Sequence, residues 1–410
     1  MLSMRRNSLS PEARFLFFTA AVSPSDSALR QTLSAGIDLD ELCVLAEHEK
    51  AVSIVWRHLS RVGGELDTAR HQRLRQSAMV SAMHMLRYQT LLRDTIDLLA
   101  AEDIDVLLLK GAGLAFTAYP LFTDRPMGDL DLLIRSPNGF RAWTLLQTAG
   151  WFASDVEIES KRFSNHHHLP RLAIGNGAYQ VEIHDRVLPD EHPFRFTVDE
   201  FWARALNVEA NGRSFRVPHP MHQLWHACVH FAWSHQMQWG SWRTFRDAAW
   251  IIEKSGIDWK EFIAFARKTL ATTCCFWTLR LARRLAGAQV PDSTLDCLRP
   301  PYSRWMVDQL ERHFLASVLP SVNSCPSAGL TQRLWEIAVM PRWSGHGRAR
   351  PWHVSDRWRR GGPDGESNRP SNASLTARIR KAKAGAAYLV RASRLAVPMD
   401  PLGQTFAEAE

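Results

Sequence analysis

The segment PMGDLDLLIRS, residues 126–136, sets two carboxylates one residue apart, Asp129 and Asp131, at the head of an apolar run. Alternate residues of a strand face one side, so both carboxylates point the same way if the run is extended. Two such groups repel and lose hydration unless a cation or strong donors compensate them. Further on, YQVEIHDRV carries Glu182 inside another β-compatible run, with Val181 and Ile183 alternating with Glu182 and His184. Glu182 and His184 therefore share a face. A third carboxylate beside the first two gives a set of hard oxygen ligands, suited to Mg²⁺ or Mn²⁺ carrying a nucleoside triphosphate. Taken alone, the aspartate pair is better explained by a solvated strand face or by ion pairs to Arg125 or Arg135. Upstream, VLLLKGAGL reads as strand, glycine turn and helix. The N–H groups at such a helix start suit phosphate, and Lys110 adds a point charge.

The elements that must hold these residues follow from the pattern around them. IDVLLLK and DLDLLI read as strands, GLAFTAYP as a helix stopped before Pro120, and PNGFRAWTLLQTAG as a helix with Pro137 at its start and Gly150 at its end. HHHLPRLAI and YQVEIHDRV read as two strands joined by GNGA. This order predicts an α+β fold: a small mixed sheet over residues 103–190, within an α/β domain bounded at 103–217. Residues 1–102 show helical spacing of apolar residues, as do residues 218–343, so helical regions flank the sheet. Residues 344–374 are rich in Gly, Pro, Ser and Arg and read as a flexible linker. A basic helical tail, 375–410, follows and is expected to be dispensable for nucleotide binding.

Turn, helix, GDLD strand and a lone acid in a later strand, in that order, resemble the DNA polymerase beta-type nucleotidyltransferase superfamily. More narrowly, LLLKGAGLAFTAYPLFTDRPMGDLDLLI followed by VEIHDRV is similar to a bacterial family of uncharacterised nucleotidyltransferases. The positions that carry the resemblance are Lys110, Gly111, Tyr119, Arg125, Asp129, Asp131, Leu133, Glu182 and His184. A weaker likeness extends through the histidine-bearing helix near PMHQLWHACVHFAWSH and the aspartate-bearing helix before IDW, giving cover over roughly 75–290.

The resemblance implies a nucleotidyltransferase moving a nucleoside monophosphate from a triphosphate to a hydroxyl of a small-molecule or protein acceptor. Asp129 and Asp131 would hold Mg²⁺ on the β- and γ-phosphates. Asp131 and Glu182 would help hold a second metal near the attacking hydroxyl. Lys110, Gly111, Ala112, Arg125 and His184 would contact the nucleotide and its phosphates. Two departures stand out. Ala112 replaces the serine that superfamily enzymes present to phosphate, and Glu182 replaces the more usual aspartate. They leave open a catalytically degenerate nucleotide-binding or scaffold protein of a biosynthetic cluster.

Other polar residues read more plainly. His166, His167 and His168 cannot all chelate one ion on a strand. His222, His226 and His230 lie four apart, and a buried polar stripe facing the α/β domain is expected. Asp247, alone on an apolar helix, is expected to pair with Arg243 or His226. Cys274 and Cys275 read as core, and the sixteen tryptophans as packing.

The 410-residue chain is 45% hydrophobic with net charge +8, which favours polyanionic partners without choosing one. An RNA-directed transferase fits the charge. However, the basic residues concentrate in the tail and no RNA-binding module is visible, so nucleic acid is not the expected partner. Six scattered cysteines without CxxC suggest reduced thiols and a cytoplasmic protein. No apolar stretch is long enough to predict a membrane span.

Overall fold

The computed structural model describes residues 9–63, 69–153, 167–189, 192–210, 212–318, 328–340 and 383–390. The chain opens with helices α1 (Pro11–Phe18), α2 (Asp26–Ser34), α3 (Leu39–His48), α4 (Val52–Val62) and the long α5 (Ala69–Ala100). Starts are set by side-chain caps: Asp38 accepts from the N–H groups of Asp40 and Glu41, satisfying donors that a helix start leaves unpaired.

The sheet has seven strands: β1 (Val106–Leu108), β2 (Leu130–Ile134), β3 (Phe152–Ala153), β4 (Leu172–Ile174), β5 (Tyr179–His184), β6 (Leu206–Ala210) and β7 (Arg213–Val217). Their spatial order is β3-β4-β5-β2-β1-β7-β6. β1 runs antiparallel to β2, and β2 runs parallel to β5. Interleaved helices are α6 (Lys110–Thr117), α7 (Asn138–Thr148) and α8 (Val198–Ala203). The mixed sheet with helical flanks is the α+β architecture expected.

Three strands go beyond the expected set. β3 is a two-residue edge. β6 and β7 form a hairpin that joins the sheet through the parallel pairing of β7 with β1. The run expected as a strand over 166–174 is strand only from Leu172. Upstream of it His168 forms an isolated bridge to His184, and His166 lies outside the described residues.

Helices return as α9 (Pro220–Val229), α10 (Ser241–Ser255), α11 (Trp259–Lys268), α12 (Thr272–Ala286), α13 (Asp292–Leu298), α14 (Arg304–Ser317) and α15 (Ala328–Val339). The two helical regions, separate in sequence, share one apolar core. Phe15, Leu16 and Leu45 from the first pack with Trp225, Phe245 and Trp277 from the second. Polar contacts lock them together: Trp242 Nε1 donates to the Leu16 carbonyl at 2.9 Å, and the Trp242 N–H to Glu49 Oε2 at 3.0 Å. A second core lies between the sheet and α5, with Tyr88, Leu92, Ala112, Leu132 and Ile183. The linker at 344–374 lies outside the described residues. Of the tail, 383–390 is helical, and its buried Tyr388 hydroxyl sits 2.7 Å from His313 Nδ1. No helix among the described residues is long and apolar enough to cross a membrane.

Candidate active site

The carboxylates meet because β2 and β5 are parallel and in register: Asp131 pairs with Glu182, and Leu133 with His184. Residues opposite each other on neighbouring strands put their side chains on the same face. Both carboxylates are buried. Asp131 Oδ1 accepts from Lys110 Nζ at 2.6 Å and from His184 Nε2 at 2.9 Å. Arg171 lies one step beyond the Leu172–Val181 pair and donates from Nε to Glu182 Oε1 at 2.9 Å. Donor atoms of Asp131, Glu182 and His184 all lie within 4.8 Å of one another, which among the described residues makes them a group able to hold a cation.

The electrostatics of this floor are settled by its own cations. Burial alone would raise the Asp131 pKa, but the Lys110 charge and the His184 hydrogen bond bring it down to about 2. Glu182 is likewise held well below the carboxylate range against the cost of burial, first by its hydrogen bond with His184. Burial works against the Lys110 ammonium, yet the Asp131, Glu182 and Asp129 carboxylates raise it to about 12.

Asp129 differs. It sits just before β2, half-buried at the cleft, with no hydrogen bond or ion pair among the described residues. Burial, then repulsion from Asp131 and Glu182, raises its pKa. Asp129 adds a carboxylate without a hydrogen-bond partner next to the Asp131–Glu182–His184 group, and hard oxygen donors of this kind suit a divalent cation.

The approach to β2 is fixed from both sides. Tyr88 of α5 donates its hydroxyl to the Gly128 carbonyl at 2.6 Å and accepts from the Gln180 N–H at 3.1 Å. This joins the GDLD segment to β5. Gly128 leaves room for Lys50: an added Cβ would stand 1.8 Å from its Nζ, so the flexible end of the lysine would have to move. Gly113 serves α6 in the same sense: a Cβ there would meet the Leu108 carbonyl oxygen at 2.4 Å. The start of α6 has no side-chain cap, so its first N–H groups stay available.

A cleft of 410 Å³ opens above this floor, lined by α/β residues on one side and by α9 and α10 on the other. Arg125 reaches it while bound bidentately to Asp247 of α10, Nε to Oδ1 at 2.6 Å and Nη2 to Oδ2 at 2.8 Å. Tyr119 donates to the same carboxylate at 2.6 Å. Beyond α9 a π-helical turn, His230–Ser234, brings His230 and His235 to the wall with ring centres 4.3 Å apart. His226 also lines the cleft, its Nε2 buried without a hydrogen-bond partner; burial and the Lys110 charge push its pKa down to about 3.

Lys110, Gly111, Arg125, Asp129, Asp131 and Glu182, all picked from sequence, therefore line one cleft. The structure refines three expectations. Ala112 is fully buried in the core under the sheet and its side chain does not line the cleft, so a phosphate contact at this position falls to its backbone N–H, as its lack of a hydroxyl implied. His184 is fully buried behind the carboxylates it hydrogen-bonds and does not line the cleft, so its place in this structure is to orient the floor. Asp247 pairs with Arg125 and Tyr119 instead of Arg243 or His226. Of the histidine row, His226 and His230 face the cleft, while His222 stacks on Phe201 at 4.7 Å. The sequence reading missed Lys50, Arg171, Arg243 and His235. Only Arg171 had a local signal, since the GNGA turn fixes it opposite Glu182.

A family model described as uncharacterised nucleotidyltransferase matches residues 35–287. This covers more than half of the chain, and the chain belongs to that family. The match begins well before residue 75, so α3 and α4 are part of the shared unit together with the sheet, α9 and α10. No curated protein and no solved structure matches the chain. Family membership supports nucleotidyl transfer as the class of activity.

Proposed function

We propose that the cleft binds a nucleoside triphosphate with a divalent cation and transfers its nucleoside monophosphate to a hydroxyl of a small-molecule or protein acceptor. One observation carries this reading: Asp131 and Glu182 face each other across parallel strands while Asp129, beside them, has no partner. Asp129, Asp131 and Glu182 would hold Mg²⁺ or Mn²⁺, which when bound neutralises phosphate charge and polarises the reacting phosphorus. The chain's own residues do the rest. His184 and Tyr88 fix the carboxylates and the GDLD segment. Arg125, anchored by Asp247, presses against Gly111 and positions the α6 start, whose N–H groups face phosphate. The α9–α10 wall closes the other side of the cleft.

One observation favours binding without turnover. Asp131 and Glu182 already carry internal counter-charges, and no hydroxyl stands at Ala112. The purified chain should be incubated with each labelled triphosphate and Mg²⁺ or Mn²⁺, with and without cell extract. Label on an acceptor, with pyrophosphate released and Asp131→Asn inactive, is expected. Metal-dependent nucleotide binding with no label under any condition would leave the binding-only reading instead.

A further inference from the structure

Three cations at the cleft are engaged: Lys110 by Asp131, Arg171 by Glu182 and Arg125 by Asp247. Two others, Lys50 and Arg243, line the same cleft with no hydrogen bond or ion pair among the described residues. Neither belongs to the sheet. Lys50 sits in the turn between α3 and α4, with left-handed backbone (φ 58°). That turn aims the ammonium at the bare Cα of Gly128. Arg243 lies in the first turn of α10, directly after Gly240 in the left-handed conformation. The two cations are close enough to depress each other's or a neighbour's protonation, after burial: Lys50 by Arg243, and Arg243 by Arg125. Asp129 offsets Lys50, and Glu49, then Asp129 and Asp247, offset Arg243.

Lys50 is exposed and Arg243 partly buried, so water reaches both, but their like charges repel across one cleft and an anion held by both would relieve that repulsion. The floor below them is already neutralised from within, so that anion belongs at the rim. We propose that Lys50 and Arg243 form a clamp for the β- and γ-phosphates of the triphosphate, supplied by the two helical regions rather than by the α/β domain. This rests on the nucleotidyltransferase reading and deepens it. The clamp supplies phosphate contacts that Ala112, without a hydroxyl, does not offer, and it depends on the core the helical regions share, which holds both cations in place. Arg243 suits a bidentate grip and Lys50 a point charge.

The test uses the full chain with Mg²⁺. Each of the four common nucleoside triphosphates, the matching monophosphates and inorganic tripolyphosphate is titrated calorimetrically into wild type, Lys50→Met and Arg243→Met. Each substitution should weaken triphosphate and tripolyphosphate binding by about 10-fold or more, the worth of a lost charge-assisted contact. Monophosphate affinity should stay within about twofold, and the melting temperature should hold or rise as repulsion is relieved. Lys50→Arg and Arg243→Lys keep the charge, guard against misfolding, and should retain most of the triphosphate affinity. Triphosphate affinity unchanged in the Met variants, or weakened equally with monophosphate, overturns the clamp while the nucleotidyltransferase reading stands. Wild type binding no triphosphate at all overturns both.

Discussion

The floor and the rim of the cleft carry similar residues in opposite states. On the floor, Asp131 and Glu182 are buried, and every charge has a counter-charge within hydrogen-bond distance. At the rim, Asp129, Lys50 and Arg243 have no bonded partner among the described residues. Asp129 and Asp131 are the same residue type two positions apart, yet one is pushed up in pKa and the other down. The lesson is that the acidic motif contains two jobs. Asp131 is part of the fold, satisfied before anything binds. Asp129 is half-buried and has no protein hydrogen bond among the described residues, which leaves its oxygens open to a ligand. A site built this way is stable when empty and still has free energy to gain from binding.

The largest effect should come from breaking the floor. Asp131→Asn takes the bonded counter-charge from the partly buried Lys110 ammonium and from the fully buried His184. Removing one partner of a buried pair costs about 3–5 kcal/mol. The variant should melt well below wild type, with or without Mg²⁺, and show no nucleotide turnover. A melt equal to wild type would mean that the floor is not self-compensated. Asp247→Asn comes next. It leaves Arg125 without its bidentate partner and should cost roughly 3 kcal/mol, read as a lower midpoint in urea. It should also weaken nucleotide binding, because Arg125 presses on Gly111.

The pH dependence sharpens the same contrast. The Asp131 pKa is about 2 in the fold, against about 3.9 unfolded. Its contribution is therefore complete above about pH 5 and is lost as pH falls toward 2. It amounts to roughly 2 kcal/mol in the metal-free protein. Asp129 runs the other way: its raised pKa means that acidification relieves it. Denaturant titrations between about pH 5 and pH 3 should show a steeper loss in wild type than in Asp131→Asn. Parallel slopes would remove Asp131 as the source.

The floor was legible in the sequence and most of the rim was not. GDLD, the KG turn and VEIH are local patterns in which the two-residue period of a strand fixes which side chains share a face. Register between β2 and β5 then follows from burying Leu130, Leu132, Val181 and Ile183. Lys50 and Arg243 are nearly two hundred residues apart, and nothing near either distinguishes it from a solvated surface cation. They meet only because Trp242 and Glu49 join the two helical regions. The direction of the Ala112 side chain was not legible either. Motif position alone cannot say which way a helix turns a side chain when the core below the sheet claims it. The β6–β7 hairpin could have been found from its Asn211-Gly212 signal between alternating residues.

The smallest effect on stability, and the sharpest on interpretation, belongs to Asp129→Asn. This side chain has no hydrogen bond to lose, and its charge is opposed by burial and by the Asp131 and Glu182 carboxylates. Neutralising it should stabilise the metal-free protein, by up to about 1 kcal/mol, since the repulsion it relieves exceeds the pull of Lys50 and Lys110. The sign is therefore opposite to that of Asp131→Asn, although the chemistry of the substitution is identical. Turnover should nevertheless disappear, and the rise in melting temperature that Mg²⁺ with a non-hydrolysable triphosphate gives wild type should shrink sharply. Melts of both variants, each with and without that pair of ligands, separate the roles. Destabilisation by Asp129→Asn comparable to that of Asp131→Asn would show that Asp129 is a structural carboxylate too. A ligand-induced shift of full size in Asp129→Asn would show that the cation is held without it.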